Sequence, residues 1–237
     1  MFIFAGIAIL IGAFFPFFIL TYLLVVHELG HFISAKVLGV SVYQICIYPF
    51  GGISKVDSRI NIPLKKELII LIAGPLMQIL GYKLLYLFMH NQLELNLFTI
   101  YNYSILVFNL LPIYPLDGGK ILNNLLSYKF SYLKSINITI KISFIIIIAL
   151  FILSFIISTN LNIILMFSFL LYKIKEVRDN KNAYFNKMLL ERYLYKIRFP
   201  RIRIVSNEKD FKRDYRHLIK HQNRYYSERE YLSKRFH

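Results

Sequence analysis

Of the 237 residues 57% are hydrophobic, and 18 of the 29 lysines and arginines lie between Ile174 and His237 against eight acids, while residues 1–173 hold only 11 basic side chains. That distribution points away from a soluble globular enzyme and toward a membrane domain over residues 1–173 followed by a basic tail over 174–237. The single cysteine, Cys46, excludes an intramolecular disulfide and a thiol-based metal site.

Phe2–Phe15 is apolar but lacks a basic start and runs past Pro16 into the next apolar segment, so it is expected to be retained and not cleaved as a signal peptide. With further apolar runs at 17–38, 68–89, 97–111, 138–157 and 161–173, the count of expected membrane spans is about six, and the expected fold is an all-α polytopic membrane protein. Placing the N-terminus inside puts Lys55, Arg59, Lys65, Lys66, Lys120, Lys129, Lys134 and the tail on one side. The opposite connections, His90–Asn96 and Ser158–Asn160, carry no Lys or Arg. Both termini are therefore expected in the cytoplasm.

The second span contains His27-Glu28-Leu29-Gly30-His31, an H-E-x-x-H sequence inside the unbroken apolar run Phe17–Leu38. On a helix the i, i+4 spacing sets both imidazoles on one face, where their nitrogens can grip one Zn²⁺, and leaves Glu28 beside the metal as a base for bound water. An ionisable side chain at the bilayer centre costs roughly 2.5–3.5 kcal/mol, so three in one turn need compensation. Structural zinc contributes roughly 10–16 kcal/mol, which is enough.

Val40–Ile53 mixes β-branched and aromatic residues with Pro49, Gly51 and Gly52, which suits a short β-like or re-entrant segment directly after the metal helix. Such a segment could wall a cleft and offer a strand edge to a substrate.

Two histidines leave a catalytic zinc site needing a third protein ligand. Asp117 is the best candidate: it follows Asn109-Leu110-Leu111-Pro112-Ile113-Tyr114-Pro115-Leu116, where two prolines stop a helix, and precedes Gly118-Gly119. Asp57 and Glu67 fall among basic loop residues, and His90 and Glu94 are expected on the opposite membrane face, which makes them weaker alternatives. The amide of Asn109, costly if it faced lipid, is expected to point to the bundle interior.

Three segments, His27–His31, Ala73-Gly74-Pro75 and Leu116-Asp117-Gly118, resemble in sequence and order the signatures of the site-2 family of intramembrane zinc metalloproteases, over roughly the first 125 residues. Within that family Pro49-Phe50-Gly51-Gly52, the Asn109–Gly119 run and Glu191-Arg192-Tyr193 are most similar to the sporulation members. The resemblance implies six transmembrane segments, one zinc per chain held by His27, His31 and Asp117, Glu28 as catalytic acid/base, and Asn109 facing the substrate. It further implies a membrane-associated protein substrate on the cytoplasmic side, the pro-sequence of a late sporulation sigma factor cleaved in the mother cell, and restraint by membrane-bound inhibitor proteins.

Two positions depart from the family pattern. Where the family usually has Asn after Ala-Gly-Pro the polar residue is Gln78, expected to alter packing or hydrogen bonding without touching the metal. The tail is too short and charged for the complete nucleotide-sensing CBS domain common among sporulation members. It is read instead as a strand near Ile202–Val205 and then one basic helix from Glu208 to His237, with Lys209, Lys212, Arg213, Arg216, Lys220 and Arg224 docking on an anionic surface of lipid or substrate and not on nucleic acid. The pair His217 and His221 shares the i, i+4 spacing but lacks a Glu and is not expected to bind metal. A site-2 protease with another substrate, an anti-sigma factor or a signal-peptide remnant, and a non-catalytic metal-binding scaffold are the alternative functions.

Overall fold

The computed structural model describes residues 14–40, 42–48, 51–56, 60–157, 161–195, 197, 199, 201–221 and 224–236. The expected first span at 3–15 lies almost wholly outside them. The described chain divides into two units, one formed by residues up to 58 together with 68–110 and the other by 59–67 together with 111–237.

In the first unit α1 covers Phe14–Val37. It admits Pro16 because the first turn of a helix needs no partner for that missing N–H. It ends where Gly39 takes φ +69°, with Val40 N–H donating to Ala35 O at 2.9 Å and Gly39 N–H to Lys36 O at 3.1 Å. This paired closure caps the last carbonyls and needs a left-handed residue, the conformation that favours glycine. An antiparallel hairpin follows, β1 Val42–Tyr48 and β2 Gly51–Val56, with Tyr48 opposite Gly51 and Ile45 opposite Ser54, lying against α1. The β-like reading of residues 40–53 is thus seen in the backbone, although Pro49 and Phe50 fall outside the described residues.

Helix α2, Leu64–Tyr86, from Leu68 onward, and α3, Gln92–Leu110, complete this unit. Ile19, Leu23 and Phe98 are buried together at its core, with Tyr22, Tyr82 and Tyr101 packed around them. Helix approach depends on missing side chains. A Cβ on Gly30 of α1 would collide with the Ala73 carbonyl of α2, and one on Gly74 of α2 with the His31 ring. Small residues at such crossings let backbones come close enough for dispersion and polar contacts to hold helices where no hydrophobic drive exists.

The second unit holds α4, Asp117–Lys129, α5, Tyr132–Ile157, and α6, Leu161–Leu194. After them come β3, Arg201–Val205, a 3₁₀ turn at Glu208–Asp210, β4, Tyr215–His221, β5, Arg224–Ser227, and α7, Glu228–Phe236. Strand β3 pairs parallel with β4, which pairs antiparallel with β5. Phe185, Met188 and Leu189 of α6 are buried with Val205, Phe211, Ile219 and Leu232, so the end of the long helix serves as the core of the small sheet module.

Two expectations are corrected here. The chain is mostly helical but not all-α, since the described residues form two small sheets. The strand at 202–205 is present, yet the single basic helix from 208 onward is not. Tyr215–His221 alternates, with His217 and Ile219 buried while Arg216 and Lys220 are exposed, a period of two that buries one face of a strand and overrides the charge spacing. Several tail cations accordingly turn inward: Arg213 pairs with Glu67 at 2.5 Å and donates to Ile62 O at 3.0 Å, and Lys212 donates to Lys129 O.

Three described helices are long and apolar enough to cross a membrane: Phe14–Val37, Leu64–Tyr86 and the stretch Tyr132–Ser154 of α5. Helix α3 carries Glu94, Asn96, Asn102 and Asn109, and α6 runs on from a short apolar start into a charged second half, which is why neither stands out as a span on composition.

Candidate metal centre

His27, Glu28 and His31 are all buried on α1, at 2%, 8% and 5% exposure. Two ring nitrogens, His27 Nε2 and His31 Nε2, approach to 3.2 Å. The partners of the other ring nitrogens determine what lies between them. His31 Nδ1 is 2.7 Å from the carbonyl oxygen of Ile70, which can only accept, so Nδ1 carries the proton and donates. His27 Nδ1 is 3.0 Å from Gln78 Oε1. The amide orientation of Gln78 is fixed in turn, because its Nε2 donates to the carbonyl oxygen and to the Oδ1 of Asn102, both at 3.1 Å. Gln78 Oε1 therefore accepts, and His27 Nδ1 donates to it.

Both imidazoles are thereby held in the tautomer that leaves Nε2 unprotonated, with the two lone pairs converging. That is the donor arrangement a divalent cation takes from an H-E-x-x-H helix, with its outer shell already in place. Glu28 adds a buried carboxylate oxygen, Oε2, without a hydrogen-bond partner, although buried carboxylates ordinarily find one. A carboxylate left with a free buried oxygen next to two converging imidazoles is suited to take a proton. The residues fit zinc.

In the second unit Asp117 opens α4, is buried at 7% exposure, and accepts from Lys120 Nζ at 3.1 Å. Its position is set by the segment before it. Tyr114 N–H donates to Ser143 Oγ at 2.9 Å, Leu116 N–H to Ile113 O at 2.9 Å, and a Cβ on Gly119 would strike the Ile113–Tyr114 peptide. The first turn of α4 is thus packed directly on the Pro-rich loop. Asn109 is half-buried near the end of α3.

Sequence reasoning missed the part played by Gln78 and Asn102. Gln78 orients the ring of His27. The signal was available: Gln78 and Asn102 are amides in apolar helices, fully or nearly fully buried, and such groups seldom occur without work to do. Of the second histidine pair only the His217 side chain is among the described residues. His217 is fully buried, its Nε2 accepts from Lys212 N–H at 3.0 Å, its Nδ1 lies 3.3 Å from Glu228 Oε2, and its ring stacks on Phe211, so both nitrogens are engaged. The side chain of His221 lies outside the described residues.

Comparison with known proteins agrees with this chemistry. Residues 15–93 and 91–150 match Peptidase family M50. Stage IV sporulation protein FB of Bacillus subtilis is 34% identical over 204 residues, covering 84% of this chain and 70% of that protein. A zinc metalloprotease of Methanocaldococcus jannaschii is 40% identical over 133 residues, covering 53% of this chain and 38% of that protein. The solved structure of the site-2 protease from the same archaeon matches with a TM-score of 0.57 at 31% identity, over 73% of this chain and 83% of that one. With a buried His-Glu-His turn built to take zinc and a family match across most of the membrane region, the chain belongs to Peptidase family M50, the site-2 intramembrane zinc metalloproteases.

Proposed function

We propose that the chain is the processing endopeptidase of a late sporulation sigma factor, removing a membrane-associated pro-sequence, with one zinc held by His27, His31 and Asp117. The observation that carries the chemistry is the pair of converging Nε2 atoms with both Nδ1 atoms committed to acceptors. The buried carboxylate of Asp117 supplies the right third donor type, and His₂-carboxylate is a common catalytic zinc set. The substrate rests on the similarity to stage IV sporulation protein FB, which runs beyond the protease signatures.

When bound, zinc supplies a Lewis acid that brings the pKa of a coordinated water toward neutrality and polarises the scissile carbonyl. Glu28 takes the proton from the attacking water and passes it to the leaving amine, a role suited to a buried carboxylate with an unpartnered oxygen. Asn109 donates to the substrate backbone. The hairpin β1–β2, lying on α1, offers an edge along which an unwound substrate can pair as an added strand. In this reading residues 1–173 carry the protease chemistry and both termini face the cytoplasm of the mother cell, where the pro-protein is met. Membrane-bound inhibitor proteins restrain the enzyme there.

Co-expression with a candidate pro-sigma factor tests the assignment, read as a decrease in substrate size that depends on Glu28. Wild-type protein that leaves the pro-sigma factor intact while cleaving an anti-sigma factor or a signal-peptide remnant would reassign the substrate within the same family.

A further inference from the structure

The second unit carries a cleft of about 530 Å³ that the protease chemistry does not use. Lys134, Asn137 and Lys141 line it from one face of α5, Lys181 from α6, and Lys209 and Asp210 from the 3₁₀ turn. Lys134, Asn137 and Lys141 follow at intervals of three and four residues, the spacing that stacks side chains on a helix surface. Lys181 Nζ reaches across to Asn137 Oδ1 at 3.0 Å. Asp210 is the only acid among the described lining residues, so four lysines line the cleft against one carboxylate. An anion bound among them would offset this excess of positive charge.

The place of Lys141 along α5 points to the kind of anion. From Ile142 to Ile157 α5 has no charged residue, so Lys141 is the last cation before an uninterrupted apolar stretch. Lysines in that position extend their ammonium groups to the level of the lipid phosphates. Leu133 and Ile138 add apolar lining beside the lysines, which suits a ligand with a charged head and a hydrocarbon body.

We propose that this cleft is a binding site for the phosphate of an anionic phospholipid, recognised by Lys134, Lys141, Lys181 and Lys209. Occupancy ties α5, α6 and the sheet module together through the bilayer surface, and it makes the stability of the second unit depend on lipid composition. Basic pockets between membrane helices are an established way to hold such head groups.

The test uses the full-length protein in zwitterionic detergent, with phosphatidylglycerol, phosphatidylcholine and inorganic phosphate as probes and thermal melting as the readout. Phosphatidylglycerol should raise the melting temperature and phosphatidylcholine should not. Lys134→Gln, Lys141→Gln and Lys181→Gln should each weaken the phosphatidylglycerol response about fivefold in half-saturating concentration, from ~1 kcal/mol per cation. Lys65→Gln, on an exposed position elsewhere, should leave it unchanged. Each exchange is single, so a variant that fails to fold leaves the other two to decide. Equal protection by phosphatidylcholine, or an unaltered response in the variants that fold, overturns the site. Equal protection by inorganic phosphate at the same phosphate concentration overturns the lipid and leaves a free-anion site.

Discussion

Gln78 Oε1 lies 3.0 Å from His27 Nδ1, and Asn102 locks the amide of Gln78 in the one orientation that lets it accept. An uncharged chain of two amides on α2 and α3 thus decides which nitrogen of a metal ligand on α1 is available. Residues that orient metal ligands are worth about 10- to 100-fold in affinity. Gln78→Leu, which keeps the side chain's bulk but removes the acceptor, is expected to weaken zinc binding by about that factor, measured by competition with a chromophoric chelator. Unchanged affinity would show that the tautomer of His27 is set elsewhere.

Glu28→Gln should retain zinc, because the histidines and Asp117 are untouched, while cleavage falls to background. Zinc content and turnover measured on the same preparation separate the two effects. Wild-type turnover in this variant would remove Glu28 from the mechanism and favour a scaffold. Asp117→Ala should instead lower both metal content and activity, and loss of neither would move the third ligand to another residue.

Gly74→Ala adds a single methyl group, yet the new Cβ would come within 2.3 Å of His31 Nε2. The ring must leave the Ile70 carbonyl that fixes its tautomer, or α2 must shift away from α1. Zinc content and cleavage are expected to fall together while far-ultraviolet circular dichroism shows the helices intact. A variant with normal zinc content would mean that α2 yields at this point without disturbing the ligand.

What was legible in the sequence and what was not divide along a physical line. His27, Glu28 and His31 could be read because ligand geometry on a helix maps directly onto a spacing of four, and the apolar runs mark the helices because hydropathy is a sum over many residues. Gln78 was visible as a polar residue in an apolar run, but its link to His27 crosses 51 positions and no local pattern encodes it. The stretch of α4 was expected as part of a cytoplasmic loop, from Lys120 and Lys129 on the inner side; packing of the first turn on Ile113 and Tyr114 explains why Gly119 is there. In the tail, charge spacing suggested one helix, whereas burial of His217 and Ile219 against the end of α6 selects a strand.

The last prediction concerns the charged network that joins that tail to α6. Arg192 is buried and donates to Glu228 Oε1 at 3.0 Å, to Asn61 Oδ1 at 2.8 Å, and to the carbonyls of Lys212, Arg213 and Tyr215. Its neighbour Glu191 accepts from the backbone N–H groups of Ile60 and Asn61. Burial alone would raise the carboxyl of Glu228, but hydrogen bonds from His217 and the Arg192 charge outweigh it and hold the group below its ordinary value near 4.5. His217 is likewise held below its ordinary value near 6.5, chiefly by burial. Both groups bind fewer protons folded than unfolded, so the stability they contribute is present above their ordinary values and is lost as pH falls. The melting temperature of the second unit should therefore begin to drop below about pH 6.5 as His217 is forced to charge, and drop again below about pH 4.5 as Glu228 protonates. Arg192→Ala removes the partner of a buried carboxylate and should cost about 3–5 kcal/mol. Arg192→Ala together with Glu228→Gln should recover part of that loss and remove the lower step. A melting temperature flat from pH 7 to pH 4 in the wild type would show that this network does not carry the stability assigned to it.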